Sequence, residues 1–217
     1  MTVRYHPDPS TLASFAAGAL PQAIAILVAA HAEMCPACRR EMSLVGAMAG
    51  ATLACAPAAE IAPDAFARLS AQLDAPAPST ARAVATPEAD LPAALAHLVG
   101  GGLDAIPWQE VLPGVEHCRY VLKSLRGETS LRLLRAAPGS EIPDHTHTGQ
   151  EATLILRGQL GDGARVYEPG EFCDLDDTTT HNPKAQGQET CVCAIAEEGP
   201  PRFTSEEVAT FLRQAGI

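Results

Sequence analysis

Residues 139–158 read GSEIPDHTHTGQEATLILRG, and this stretch decides the fold of the second half of the chain. His145 and His147 are two positions apart, so their side chains share one face of an extended strand. Glu151 follows four residues later, close enough to join them after a short turn at Gly149. Two imidazoles and a carboxylate form a facial ligand set for zinc, iron or manganese. The stretch therefore predicts a metal site built on a β-strand, in preference to histidines exposed at the tip of a loop.

Short β-prone runs, separated by glycine and proline, surround this stretch on both sides. They cover residues 115–122, 130–135, 152–156, 164–167 and 190–195. Short strands at this spacing are typical of a β-sandwich or barrel. His181 follows three threonines, and we expect it to complete the metal site from an opposite strand. A helix capped by Thr204 or Ser205 and ending near Gln214 follows the last strand.

A different metal motif, His31-x3-Cys35-x2-Cys38, lies in the first half of the chain within an apolar helical pattern. His31 and Cys35 are four residues apart and share one face of a helix. Pro36 ends that helix and can open the next, which returns Cys38 toward the same point. Imidazole and thiolate are ligands that zinc prefers, so the motif predicts a zinc site with one position still to fill. A redox Cys-x-x-Cys is the alternative, but it is expected beside a βαβ pattern, which is not evident here.

Apolar spacing and prolines predict four short helices in this half, over about 10–20, 21–35, 36–55 and 63–73. The proline- and alanine-rich residues 76–88 are typical of a linker. We therefore expect an all-α unit at 1–75 with few long-range contacts to the rest, a linker and short helix at 76–102, and a β domain at 103–217. The predicted fold class is α+β with two domains, a small helical bundle followed by a β-sandwich or barrel.

The composition excludes several classes of function. The formal net charge is −11 and no basic cluster occurs, so direct binding to nucleic acid is not expected. The most apolar stretch, residues 23–30, is far shorter than the roughly 20 residues that span a bilayer. Seven cysteines without a recognisable secretion signal favour a reducing cytoplasm over a disulfide framework. The sequence does not indicate an oligomeric state.

Both motifs resemble known families. The glycines, histidines and glutamate of 139–158 match the first motif of the cupins in every spacing. Gly163, Pro169 and Gly170 fit the start of the second cupin motif, although the gap to His181 is longer than usual. The His-x3-Cys-x2-Cys motif resembles the signature of zinc-containing anti-sigma factors. In this order and total length, the two halves resemble the ChrR-type anti-sigma factors of bacteria over essentially the whole chain.

The resemblance implies two ligand sets. The first is a zinc site formed by His6, His31, Cys35 and Cys38. The second is a cupin site for zinc or another divalent transition metal, formed by His145, His147, Glu151 and His181. It also matches Cys191 and Cys193 to a cysteine pair near the cupin metal, which makes them redox candidates. On sequence alone this pair fits buried strand residues equally well.

The resemblance further implies that the helical unit sequesters an extracytoplasmic-function sigma factor. The cupin-like domain would then link release to an oxidant such as singlet oxygen.

Two other functions fit the sequence. One is a cupin metalloenzyme of the dioxygenase or isomerase class with an N-terminal docking module. The other is a metal-storage or metal-sensing protein. No further acid, base or arginine cluster supports an enzyme, because Arg132, Arg135 and Arg157 are expected to face solvent from strands. We therefore expect a regulatory protein.

Overall fold

The computed structural model describes residues 3–73, 90–124 and 127–215. The helices in these ranges are α1 (Pro9–Ala16), α2 (Gln22–Met34), α3 (Pro36–Ala54), α4 (Ala65–Leu73), α5 (Ala93–Val99) and α6 (Glu206–Gln214), with a short 3-10 helix at Leu103–Ala105. The strands are β1 (Gln109–Leu112), β2 (Val115–Ser124), β3 (Gly127–Ala136), β4 (His145–Thr146), β5 (Glu151–Arg157), β6 (Gln159–Asp162), β7 (Arg165–Tyr167), β8 (Phe172–Leu175), β9 (Thr180–His181), β10 (Lys184–Gln186), β11 (Cys191–Glu197) and β12 (Arg202–Phe203).

A one-residue break separates α2 from α3. Cys35 has an extended backbone (φ −118°, ψ 100°), as expected for a residue that precedes proline. Pro36 then occupies the first turn of α3, where its missing N–H costs nothing. The chain therefore turns a sharp corner at Cys35, and the residues on either side of the corner face each other.

The strands form three antiparallel sheets. The largest has the order β1-β2-β3-β11-β5-β8, and two smaller sheets have the orders β10-β6-β7 and β12-β4-β9. In the third sheet β4 pairs with both β9 and β12, which places His145 directly opposite His181. The predicted fold class is confirmed: a helical N-terminal region is followed by a β-rich domain of cupin type.

Helix α2 packs on the large sheet and shares its core. Ala23, Ile24 and Leu27 are fully buried in one cluster with sheet residues that include Leu133 and Phe172. The expectation that few long-range contacts join the helical unit to the rest is therefore wrong. The physical reason lies in the sequence of α2, QAIAILVAAHAEM, because a helix that is apolar on nearly every side must be covered on every side.

The proposed linker at 76–88 lies outside the described residues, and the domain boundaries at 75 and 102 stay predictions. The short helix expected between them corresponds to α5, whose first two backbone N–H groups, at Ala93 and Ala94, donate to the carboxylate of Glu33 on α2. This contact joins α5 to the helical region.

Helices α3 and α4 contrast with α2, because most of their large apolar side chains are exposed. Cys38 is the one buried residue of α3, and α4 buries none. Seven of the nine large exposed apolar side chains in the described residues lie on this part of the chain, which we call the α3–α4 apolar surface: Leu44, Met48, Leu53, Ile61, Phe66, Leu69 and Leu73. None of the described helices is both long and apolar enough to cross a membrane.

Candidate metal centres

The first cluster brings together all four residues of the proposed N-terminal zinc site. One potential ligand atom from each of His6, His31, Cys35 and Cys38 lies within 4.8 Å of the other three. His31 Nε2 lies 3.3 Å from Cys38 Sγ, and His6 Nδ1 lies 3.5 Å from Cys35 Sγ and 3.4 Å from Cys38 Sγ. Donors bound at 2.0–2.3 Å around one tetrahedral zinc are separated by about this much. Two sulfurs and two imidazoles therefore fit a tetrahedral zinc.

A backbone carbonyl of the β domain orients His31. His31 Nδ1 donates to the carbonyl oxygen of Gly170 at 2.9 Å, which leaves the lone pair of Nε2 for the cluster. Burial lowers the pKa of His31 to about 4, so the imidazole is neutral at pH 7 and able to ligate. Gly170 has φ +86°, and a Cβ there would meet Val3 at 3.3 Å, so a glycine is needed at this contact.

The environment of Cys38 favours its neutral thiol unless a cation is bound nearby. Burial, with Cys35 beside it, raises the pKa of Cys38 to about 12. A bound zinc would reverse this preference, because a coordinating thiol loses its proton outright. A buried thiol pair between two imidazoles thus fits a metal better than it fits a reactive redox pair.

The N-terminal segment that carries His6 (residues 3–6), which we call the arm, is held by the β domain. Glu171 is 1% exposed and accepts from both the backbone N–H and the Nε of Arg4, at 2.9 and 3.0 Å. The backbone N–H of Phe172 donates to the carbonyl of Tyr5 at 3.1 Å. Although burial opposes it, pairing with Arg4 lowers the pKa of Glu171, so this carboxylate stays charged. The N-terminal residues therefore lie along the start of β8, with His6 directed at the cluster.

The second cluster brings together the four residues of the proposed cupin site. His181 Nε2 lies 3.0 Å from His145 Nε2 and 3.2 Å from His147 Nε2. A carboxylate oxygen of Glu151 lies 3.2 Å from His147 Nδ1, and the other lies 3.9 Å from His181 Nε2. The longer gap before His181 in the second cupin motif does not displace it, because β9 pairs with β4 and returns it to His145.

Hydrogen bonds to the Nδ1 atoms of two of the histidines indicate that this set fits a cation. His145 Nδ1 donates to the Pro143 carbonyl and His181 Nδ1 donates to Asp162, each at 2.9 Å. Burial lowers the pKa of His145 to about 4, so its imidazole is neutral. With both Nδ1 atoms donating, the Nε2 atoms of His145 and His181 face each other at 3.0 Å, an arrangement that a shared metal ion satisfies. Histidine and carboxylate ligands suit zinc, iron or manganese alike.

Substitution of Asp162, which is not itself a proposed ligand, tests the cupin metal site. Asp162→Asn keeps an acceptor for His181 but removes the negative charge, so we expect metal affinity at the cupin site to fall about 10-fold. Competition against a chelating dye measures this, and Asp177→Asn on the exposed loop before β9 is the matched control. Equal affinities for the two variants would show that Asp162 does not support the metal.

A small, mainly apolar cavity of about 50 Å³ adjoins the cupin cluster, with room for a few water molecules. Arg132 lies at its wall, 4% exposed, and pairs with the buried Glu197 at 3.0 Å. The expectation that Arg132 faces solvent is therefore wrong, because Glu197 on the neighbouring strand β11 supplies a buried partner.

The candidate redox pair is buried in β11. Cys191 is 0% and Cys193 is 1% exposed, and Cys193 lines the cavity beside Glu151. The hydrogen bond with Cys191, together with burial, raises the pKa of Cys193 well above its usual range. This environment does not favour a thiolate, so direct attack by these sulfurs on a solvent oxidant is not expected. A sensory role for the pair stays a prediction.

Several residues around the two clusters have no counterpart in the sequence analysis: Asp162, Glu171 and Asp174. Asp162 is the last residue of β6, within the sequence Gly-Asp-Gly at 161–163, and Glu171 directly follows the Pro-Gly of the second cupin motif. The glycines and the proline beside Asp162 and Glu171 were the sequence signals that could have indicated these two residues. The partners that give these carboxylates a role lie far away in the chain.

The comparisons with known proteins agree with this arrangement. The family described as the ChrR cupin-like domain matches residues 99–199. The anti-sigma-E factor ChrR of Cereibacter sphaeroides is 33% identical over 209 residues, which cover 94% of each chain. The crystal structure of Rhodobacter sphaeroides SigE in complex with the anti-sigma ChrR aligns with a TM-score of 0.77 and 29% identity, over 91% of this chain and 100% of that chain.

A helical His/Cys cluster docked on a cupin-like sandwich with its own His/Glu cluster defines a regulatory protein of the anti-sigma class. More particularly, the chain belongs to the ChrR family of anti-sigma factors. The resemblance drawn from the two motifs is thereby confirmed, and family membership supports a regulatory role over the metalloenzyme alternative.

Proposed function

We propose that this protein is a cytoplasmic anti-sigma factor that binds an extracytoplasmic-function sigma factor through the α3–α4 apolar surface. The observation that carries the proposal is the concentration of exposed apolar side chains on two helices of a chain in this family. Monomeric proteins seldom leave a large contiguous apolar face uncovered, and such faces mark protein partners. The sigma factor held by the ChrR relative gives the class of partner.

Helix α4 supplies the strongest support within that surface. Phe66, Leu69 and Leu73 recur at i, i+3 and i+7, so they lie on one side of the helix, and all three are exposed. Helix α3 has 19 residues and extends over about 28 Å. Two such helices can together contribute to a stable interface, which needs about 1,200 Å² of buried area in total. Docking into an apolar groove of the sigma factor would cover these side chains.

The two clusters are proposed as metal sites with different roles. Zinc at His6, His31, Cys35 and Cys38 would fix the corner between α2 and α3 and thereby the direction of the sigma-binding helices. Zinc or another divalent transition metal at His145, His147, Glu151 and His181 would stabilise the β domain beside the cavity. The supporting observation is that, in each set, one potential ligand atom from every residue lies within 4.8 Å of the others.

Release on an oxidative signal, such as singlet oxygen, is proposed to begin in the cupin-like domain. A signal can release a partner only if it changes the relative stability of two states that differ in partner affinity. The docking of α2 on the sheet provides a route, since a change in the sheet alters the support of the helical unit. Under this proposal residues 1–75 bind the sigma factor and residues 103–217 receive the signal, by way of the metal site or of Cys191 and Cys193.

The direct test uses the full chain and its cognate sigma factor. We expect a stable complex and loss of transcription from promoters that depend on that sigma factor. The fragment 1–73 is co-expressed with the sigma factor, because α2 loses the sheet that covers it. We expect this fragment still to bind the sigma factor, but not to release the sigma factor under photosensitised singlet oxygen. No complex with the full chain would contradict the function. A complex only with the full chain would contradict the division between domains.

A further inference from the structure

Residues 170–174, which we call the β8 segment, contact the N-terminal cluster with their first three residues. The carbonyl of Gly170 accepts from His31, and the carboxylate of Glu171 binds Arg4. The N–H of Phe172 donates to the carbonyl of Tyr5, which directly precedes His6. The ring of Phe172 also packs edge-on against that of His31, with centroids 5.6 Å apart. One ligand ring and the arm of a second ligand are thus held by the β domain.

The last two residues of the same segment contact the cavity at the cupin cluster and the residue that precedes one of its proposed ligands. Cys173 lines the cavity next to that cluster. Asp174 accepts from Thr11 Oγ1 at 2.7 Å through one carboxylate oxygen and from Gln150 Nε2 at 2.6 Å through the other. Gln150 directly precedes the proposed ligand Glu151, and Glu151 itself pairs with Leu175 at the end of β8. Asp174 therefore connects the start of α1 to the strand that carries a cupin ligand.

We propose that the β8 segment couples the two metal centres, so that a metal bound at either one raises the affinity of the other. The proposal rests on the assignment of both clusters as metal sites. Glu171 and Asp174 act in it as positioning residues, because neither belongs to a ligand set.

The sign of the coupling follows from the order that each metal imposes. A metal at the cupin cluster fixes Glu151, and with it the register of β5 against β8 and the orientation of Gln150 toward Asp174. The segment is then already ordered when the N-terminal arm docks on it, so the second metal meets a smaller entropic cost. Coupling between binding sites is reciprocal, and its usual range is about 5-fold to 150-fold in affinity. We expect the lower end, about 5-fold, because hydrogen bonds rather than a shared ligand carry the connection.

A global stabilisation of the fold by metal would be a different effect. It would strengthen the N-terminal site regardless of whether the arm is docked. Coupling through the segment requires the arm, so breaking the Arg4–Glu171 pair distinguishes the two. The chain offers a matched control in the Arg157–Glu189 pair, whose arginine is similarly exposed but which lies away from the arm.

The experiment titrates Co²⁺ into the metal-free full chain and follows the thiolate-to-cobalt charge-transfer absorption, which the cysteine-containing cluster gives and the cupin cluster does not. We expect Glu151→Gln and Arg4→Gln each to weaken Co²⁺ binding at the N-terminal cluster about 5-fold. The double variant should be weakened by clearly less than the product, because an undocked arm no longer senses the cupin site. Arg157→Gln should match the wild-type chain.

Each other result overturns a specific statement. Equal affinities in all variants would disprove the coupling while leaving the metal sites in place. Fully multiplicative effects would show that the coupling bypasses the β8 segment. No charge-transfer band in the wild-type chain would instead remove the N-terminal metal site of the proposed function. If circular dichroism shows that Glu151→Gln lowers the folded fraction, Asp162→Asn takes its place, since it weakens the cupin metal without changing a ligand.

Discussion

Cys38→Ser should eliminate the N-terminal metal and abolish inhibition of the sigma factor. Cys38 is 3% exposed, and its sulfur lies within 3.5 Å of two of the other proposed ligands, His6 and His31. Serine does not replace a thiolate in a zinc site, and even the loss of a group that hydrogen-bonds to a ligand lowers metal affinity about 10- to 100-fold. We expect a larger loss here, because structural zinc supplies about 10–16 kcal/mol of apparent binding free energy in small domains.

Metal analysis of the purified chain should therefore show one equivalent less, and the corner between α2 and α3 should lose protection from hydrogen exchange. Sigma-dependent transcription in the presence of the variant should return to the uninhibited level. Cys55→Ser is the matched control, because Cys55 is an exposed thiol at the C-terminal end of α3. Full inhibition by Cys38→Ser would separate the metal from the inhibitory function.

The double substitution Phe66→Ala and Leu69→Ala should weaken sigma binding without affecting the fold. Both side chains are more than half exposed on α4, so we expect the free energy of unfolding to change by less than about 0.5 kcal/mol. Interface anchors of this kind contribute about 2 kcal/mol or more, which corresponds to a loss of affinity of at least about 30-fold.

Calorimetry or surface plasmon resonance with the cognate sigma factor measures this loss. Phe211→Ala on α6 is the control, since Phe211 is also a large exposed apolar side chain but lies outside the α3–α4 apolar surface. Similar losses for Phe211→Ala and the α4 variant would mean that the sigma factor binds elsewhere, or that apolar exposure does not define the interface. An unchanged affinity for the α4 variant would place the interface on other helices.

The fold class and three residues of each proposed ligand set could be predicted from the sequence because their signals are local, whereas His6 was implied only by the family resemblance. His145 and His147 share a strand face, and the break at Pro36 returns Cys38 toward His31, within stretches of fewer than ten residues. Such patterns are visible in one sequence, and the structure brings the named side chains together. Their role in binding metal stays a prediction that the experiments above address.

The docking of the helical unit was not predictable in the same way. His31 and Gly170 are 139 residues apart, and Arg4 and Glu171 are 167 apart, so no local pattern links them. A glycine after proline is an ordinary turn signal, and a glutamate next to a turn is ordinarily a surface residue. The one available clue was α2, which is too apolar to remain an outer helix of a small bundle.

The separation between His31 and Gly170 also has a consequence for synthesis on the ribosome. At about 5–20 residues per second, the 139 residues between them take roughly 7 to 28 s to translate. During that interval the His/Cys cluster has emerged, but the carbonyl that orients its histidine does not yet exist. The nascent helices therefore begin to fold before the His31 ring has its hydrogen-bond partner, and the proposed metal site is completed late. If β8 forms slowly or not at all, the first defect should thus be seen in the helical region near the N-terminus.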